Sequence, residues 1–151
     1  MKKRKWFSLI DKVWKYDNLQ SATALVAKNA GAAGVDNQSI KEFLADKDKH
    51  LLEIERMLRE KQYEPHPVRA VDIPKDNGKI RSLGIPAVRD RIVQQSLRIV
   101  MEPIFEVKFK DCSYGFRPNR NCHQVISKVE EYIRAGNLWA VEIDIENFLT
   151  Q

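Results

Sequence analysis

Asp144 stands in a run that is otherwise apolar at alternate positions: Leu138-Trp139-Ala140-Val141-Glu142-Ile143-Asp144-Ile145-Glu146-Asn147-Phe148. Alternation predicts a strand with Trp139, Val141, Ile143 and Ile145 on one face and Glu142 and Asp144 on the other. A carboxylate on such a strand needs a cation, or hydrogen-bond donors, to offset the loss of water. Magnesium is the natural guest, held by one or two carboxylates together with substrate phosphates. A carboxylate satisfied by hydrogen bonds alone is the plainer alternative.

Three basic clusters precede it. Lys75, Lys79 and Arg81 surround Asp76-Asn77-Gly78, and a tight turn would gather these cations into a phosphate clamp. Arginine supplies a fixed fork for phosphate oxygens and lysine a mobile point charge; a hairpin tip charged only for solubility is the alternative. Arg89 and Arg91 fall near the start of a predicted helix, where positive charge opposes the macrodipole unless phosphate oxygens lie nearby. A salt bridge through Asp90, or solvation, has equal standing. Tyr114-Gly115-Phe116-Arg117-Pro118-Asn119-Arg120 suits a nucleic-acid strand, cations on phosphate and rings on sugar or base. A loop anchored by Phe116 accounts for the aromatics but not for the arginines. Cys112, Cys122 and His123 make a poor zinc set, because only one neighbouring pair exists. The cysteines read as small, partly buried structural residues, and His50 and His66 as surface or packing residues.

The elements that must position these groups are legible from periodicity. Trp6, Phe7, Leu9, Ile10, Val13 and Trp14 recur at helical spacing, and a second helix runs through Leu19, Ala22, Leu25 and Val26 with Asp17 or Asn18 as its cap. It ends in Asn29-Ala30-Gly31-Ala32-Ala33-Gly34-Val35-Asp36, where Asp36 can cap the next element. A third helix covers about Lys49 to Lys61, with Leu51, Ile54 and Leu58 inward. From Val68 the period changes to two, and Asn77-Gly78 between alternating runs predicts a hairpin ending at Pro86. A helix comes next from about Ala87 to Met101, striped by Val88, Ile92, Leu97 and Val100, with Pro103 just beyond. Phe105–Asn121 reads as loop. A last helix, about Asn121 to Ala135, turns Cys122, Val125, Ile126, Val129 and Ile133 inward and stops at Gly136.

Composition bounds the class. With 151 residues, 43% apolar and 31% charged, the chain is globular and long enough for a core. No apolar run reaches membrane-spanning length, and the basic start Met1-Lys2-Lys3-Arg4-Lys5 lacks a signal-peptide core, so no membrane partner and a cytoplasmic location are expected. The net charge of +5 is uneven: residues 1–60 carry +3, residues 61–120 carry +5 and residues 121–151 carry −3. A basic body beside an acidic strand suits a polyanion next to a site that recruits cations.

In this order, the pieces resemble the N-terminal part of a group II intron reverse transcriptase/maturase. The initial helices and Asn29–Asp36 resemble that family's N-terminal extension. Pro65 through Pro86, then Asp90-Arg91-Ile92-Val93-Gln94-Gln95, is similar to its first fingers block, and Glu102-Pro103-Ile104-Phe105 through Arg117-Pro118 and His123 to its second. The resemblance implies an α+β, mostly helical fold with a central hairpin and a terminal palm strand. It divides the chain into an extension over 1–48, fingers over 49–136 and the start of the palm over 137–151. It implies RNA-directed DNA polymerisation with RNA (intron RNA and template) and primer DNA as partners. Lys75 and Arg81 would contact the nucleotide triphosphate, and Arg69, Arg91, Arg117 and Arg120 the template or primer backbone. Asp144 would be the first catalytic aspartate and a ligand of magnesium.

The departures from the pattern shape the expectation for the chain itself. Phe148 matches the family's first aromatic, whereas Leu149 and Thr150 replace the residues that come after it, and no Tyr-x-Asp-Asp motif occurs. In-line transfer needs metals clamped by carboxylates from more than one strand. Polymerase activity and firm magnesium binding are therefore not expected of these residues alone. The divergence points to a frameshifted or prematurely stopped gene, or to an engineered fragment. The rival functions are a stand-alone RNA-binding module and an inert remnant, with a second copy on the exposed strand edge as a further candidate partner.

Overall fold

The computed structural model describes residues 7–74, 78 and 80–145. The chain forms two compact units, Met1–Val107 and Lys108–Gln151. The fold is α+β and mostly helical, as expected. Among the described residues no helix is long and apolar enough to cross a membrane.

The first unit is built from α1 (Leu9–Val13), α2 (Tyr16–Asn29), α3 (Ile40–Ala45), α4 (Lys47–Arg59), β1 (Arg69–Pro74), β2 (Ile80–Ile85) and α5 (Val88–Glu106). Helical spacing puts Leu19, Ala22 and Val26 of α2 against Val88, Ile92 and Val93 of α5, and Phe43, Leu51 and Ile54 from α3 and α4 close the core. Asn18 does not cap α2, which starts earlier, with Lys15 as its N-cap. Its amide instead donates to the carbonyl of Ser96 (3.2 Å), to Ser96 Oγ (2.7 Å) and to the carbonyl of Val13 (3.3 Å). The Ser96 hydroxyl donates to Val13 as well, so a fully buried serine ties α1, α2 and α5 together without an orphaned polar group.

Several boundaries differ from expectation for local reasons. Ser39, rather than Asp36, caps α3, because Glu42 stands three residues on and completes a reciprocal capping box. Asp36 accepts from the Gln38 amide instead. Pro103 lies inside α5, which runs on to Glu106; its ring removes one hydrogen bond, and buried Ile104 holds the turn beyond it. Leu97, expected inward, is exposed, and Ser96 takes the inner position.

The hairpin forms as expected. β1 and β2 pair antiparallel in one register, from Arg69 opposite Ile85 to Pro74 opposite Ile80. Gly78 takes φ 75 in the connection, as a tight turn requires.

The second unit holds the segment 108–121 and α6 (Cys122–Arg134). Asn121 caps α6 in a box with Gln124, and Gly136 leaves it at φ 91. Two expectations fail here. The apolar stripe of α6 is not inward: Cys122, Val125, Ile126, Val129 and Ile133 are all exposed, and so is Cys112. Residues 138–145 do not form the expected terminal strand, and Trp139 is 95% and Val141 86% exposed. A strand is stable only with a partner edge, and the two strands among the described residues pair with each other. The basic start before Phe7 and the residues Glu146–Gln151, Phe148 and Leu149 included, lie outside the described residues.

Gly34 is the tightest packing point. A Cβ there would sit 2.6 Å from the Ala87 backbone, just ahead of α5. Gly34→Ala is expected to cost about 1–3 kcal/mol in urea denaturation. Gly115→Ala, with nothing within 4 Å of an added Cβ, should leave the midpoint unchanged. Equal midpoints for both variants would contradict this close approach.

Candidate nucleic-acid interface

The hairpin register decides which of the first unit's cations share a face. Residues opposite each other in an antiparallel pair point the same way, so Arg69, Val71, Ile73, Arg81, Leu83 and Ile85 lie together. Arg69 and Arg81 thus occupy one face, four positions and about 13 Å apart along the strand. Arg81 is exposed near the tip, whereas Arg69 is half-buried at the root. Asp72 accepts from Ser82 on the opposite face, which keeps that carboxylate away from the arginines. Lys75 and Lys79, the other expected members of the clamp, lie outside the described residues.

The start of α5 is organised around Asp90. This residue is 3% exposed. Its carboxylate accepts from the Tyr63 hydroxyl, from the His66 amide (3.1 Å) and lies 3.3 Å from His66 Nδ1. Burial, then the hydrogen bond to Asp90, raises the Tyr63 pKa well above its ordinary value. Neither Arg89 nor Arg91 uses Asp90. The Arg89 guanidinium lies over the Tyr63 ring, 5.3 Å from its centroid, and donates to Met57 Sδ.

Arg91 turns back on the chain. Its Nη1 donates to the carbonyl of Ala30 (3.1 Å) and its Nη2 to that of Ala32 (3.0 Å). Gly31 between them takes φ 105, and a Cβ there would meet Nη1 at 2.7 Å. The fork that suits a phosphate therefore holds the Asn29–Asp36 loop. The Nε atoms of Arg69, Arg89 and Arg91 are enclosed without a partner among the described residues.

In the second unit Arg117 and Arg120 also reach carbonyls. Arg117 Nη1 donates to Lys110 and Ser113 (both 2.8 Å) with its guanidinium over Phe109, and Arg120 donates to Asp111 (3.2 Å) over Tyr114. Phe116 does not anchor this loop, since it is fully exposed at φ 57. Asp144 is exposed and accepts from the Ile145 amide (2.9 Å). Among the described residues no three His, Cys, Asp or Glu side chains converge as a metal site.

The chain is 40% identical over 128 residues to protein YkfC of Escherichia coli, covering 82% of this chain and 34% of YkfC. It is 36% identical over 132 residues to the group II intron-encoded protein LtrA of Lactococcus lactis, covering 87% of this chain and 20% of LtrA. It is 39% identical over 75 residues to the mitochondrial nuclear intron maturase 1 of Arabidopsis thaliana, covering 48% of this chain and 10% of that protein. No protein-family model matches. The chain belongs to the group II intron-encoded reverse transcriptase/maturase family. This maturase-family chain spans about a third of YkfC and a fifth of LtrA.

In this maturase-family chain the residues missed by sequence reasoning are Tyr63, His66 and Asp90. The one available signal was an acidic residue in the first turn of a helix whose neighbours are basic. The geometry supports two tests. Arg91→Lys keeps the charge but loses the two-pronged grip, and is expected to lower stability by about 1–3 kcal/mol and to speed protease cleavage within 30–36. Unchanged cleavage would mean the grip contributes nothing. Because the Tyr63 pKa is raised on folding, its contribution is complete below the ordinary tyrosine range, near 10, and fades as pH climbs towards the folded value. Tyr63→Phe should therefore flatten the alkaline fall in denaturation midpoint measured between about pH 8 and 11. A fall as steep as in the unmodified chain would exclude this residue as its source.

Proposed function

We propose that this chain is the fingers portion of a group II intron reverse transcriptase/maturase and that it grips RNA, whether intron or template. The observation that carries the reading is the hairpin register, which sets Arg69 and Arg81 on one face, in a chain related to LtrA. Lys75 and Arg81 serve the nucleotide triphosphate. Arg69 lies along the nucleic-acid backbone. Arg91 in the first unit, and Arg117 and Arg120 in the second, act chiefly by holding the loops of their own unit, since their guanidinium groups reach backbone carbonyls. Asp144 supplies one ligand to magnesium, whose remaining carboxylates and the primer-DNA contacts come from segments not among these residues. On its own the chain does not polymerise.

The charge distribution supports the same reading, with +3 and +5 in the first two stretches of sixty residues. Three or four phosphate contacts should cut affinity for a structured RNA on the order of 10–100-fold between 50 and 200 mM salt. Fluorescence anisotropy across that range measures it. Binding that is absent, or indifferent to salt, would remove the RNA-gripping role. Extension of a DNA primer on an RNA template by the purified chain with magnesium would overturn its inactivity.

A further inference from the structure

A cavity of about 270 Å³ opens between α3, α4 and the first turn of α5, and none of the arginine roles above uses it. Its floor is apolar, made by Phe43 and Ile54, which are 1% and 2% exposed. His50 forms a planar wall, stacked on Phe43 with ring centroids 4.8 Å apart and 24° between planes. The Arg89 guanidinium, braced by Tyr63, adds a second planar group. Asp36 and Glu53 bring carboxylates from the loop and from α4.

The chemistry of this lining differs from that of the rest of the unit. Two carboxylates, two imidazoles and one guanidinium line it, so the pocket itself suits a neutral ring, and any phosphate carried by that ring lies outside it. A fitting ligand is neutral, planar and rich in N–H donors. Pockets for drug-sized ligands run about 300–1,000 Å³, so this one is of the size for a single base. Unpaired bases are read in this way, by stacking on imidazole or guanidinium planes and by hydrogen bonds along their edges. Guanine matches best. Its adjacent N1–H and N2–H groups face one carboxylate, and its O6 and N7 accept from arginine.

We infer that this pocket receives an unpaired guanine base, with the Glu53 and Asp36 carboxylates on its donor edge and His50 and Arg89 beside its ring. The base comes from an RNA loop or from a free guanine nucleotide. Only the first source rests on the RNA-gripping role proposed above.

The test uses the full chain and two RNA hairpins differing at one loop position, guanine or adenine, followed by fluorescence anisotropy. The unmodified chain is expected to prefer the guanine loop about tenfold. The Asp36→Asn, Glu53→Gln double variant should bind both hairpins equally, because it loses the preference for guanine while the added positive charge raises the affinity for both alike. Both positions are exposed, and asparagine keeps the acceptor for the Gln38 amide. Guanosine monophosphate, titrated by calorimetry, is the second arm: binding that the double variant loses identifies the free nucleotide as a source. Salt-sensitive binding of both hairpins without preference, and no monophosphate binding, overturns the pocket and leaves the RNA role standing. Monophosphate binding with neither hairpin bound leaves the pocket and removes the RNA role. A guanine preference that survives in the double variant also overturns the assignment.

Discussion

Asp90 is a carboxylate almost wholly withdrawn from water, and such a group is tolerated only where donors converge on it. Tyr63 and His66 provide them, and the N-terminus of α5 adds its own positive end. This single requirement fixes the segment between α4 and β1 against α5. The hairpin root at Arg69 comes three residues after His66, and Arg89 finds its ring in Tyr63. The floor of the guanine-sized cavity is the same core that Asp90 borders. Removing the carboxylate's donors would loosen all three together.

The arginines show how one chemical group serves two purposes. A guanidinium fork matches phosphate oxygens, and it matches a pair of backbone carbonyls equally well. Arg91 spans Ala30 and Ala32, and Arg117 spans Lys110 and Ser113. In each case a loop lacking regular hydrogen bonds gains partners for its carbonyls. A sequence pattern of arginines beside aromatics thus predicts ordered loops as readily as nucleic-acid contacts. The register of the hairpin, by contrast, leaves Arg81 exposed near the tip.

The second unit separates local from tertiary stability. The capping box of Asn121 and Gln124, and Gly136 at the far end, specify α6 without help from elsewhere. Its apolar stripe stays exposed, as do Trp139, Val141 and Ile143. Amphipathic periodicity states that a face is made to be covered. It does not state what covers it, nor that the cover lies within the same stretch of chain.

Elements whose signal is local were therefore legible in the sequence: the hairpin with its Asn-Gly turn, α2, α4, α5 and α6, and the family to which the chain belongs. The misjudged features were those settled by distant partners. Asp17 or Asn18 was expected to cap α2, whose N-cap is Lys15, and Asn18 instead bonds Ser96, seventy-eight positions away. Asp90 gave no sign of its burial, because Tyr63 and His66 meet it only once α5 packs back on the preceding segment. Gly31 and Gly34 read only as glycines that permit positive φ, yet Arg91 and Ala87 approach them too closely for a side chain. The strand expected at Asp144 lacks an edge to pair with among the described residues. Periodicity and capping are encoded within a few residues, so sequence alone determined them; burial, register partners and the direction of each guanidinium depend on contacts far apart in the chain, and only the tertiary structure decided those.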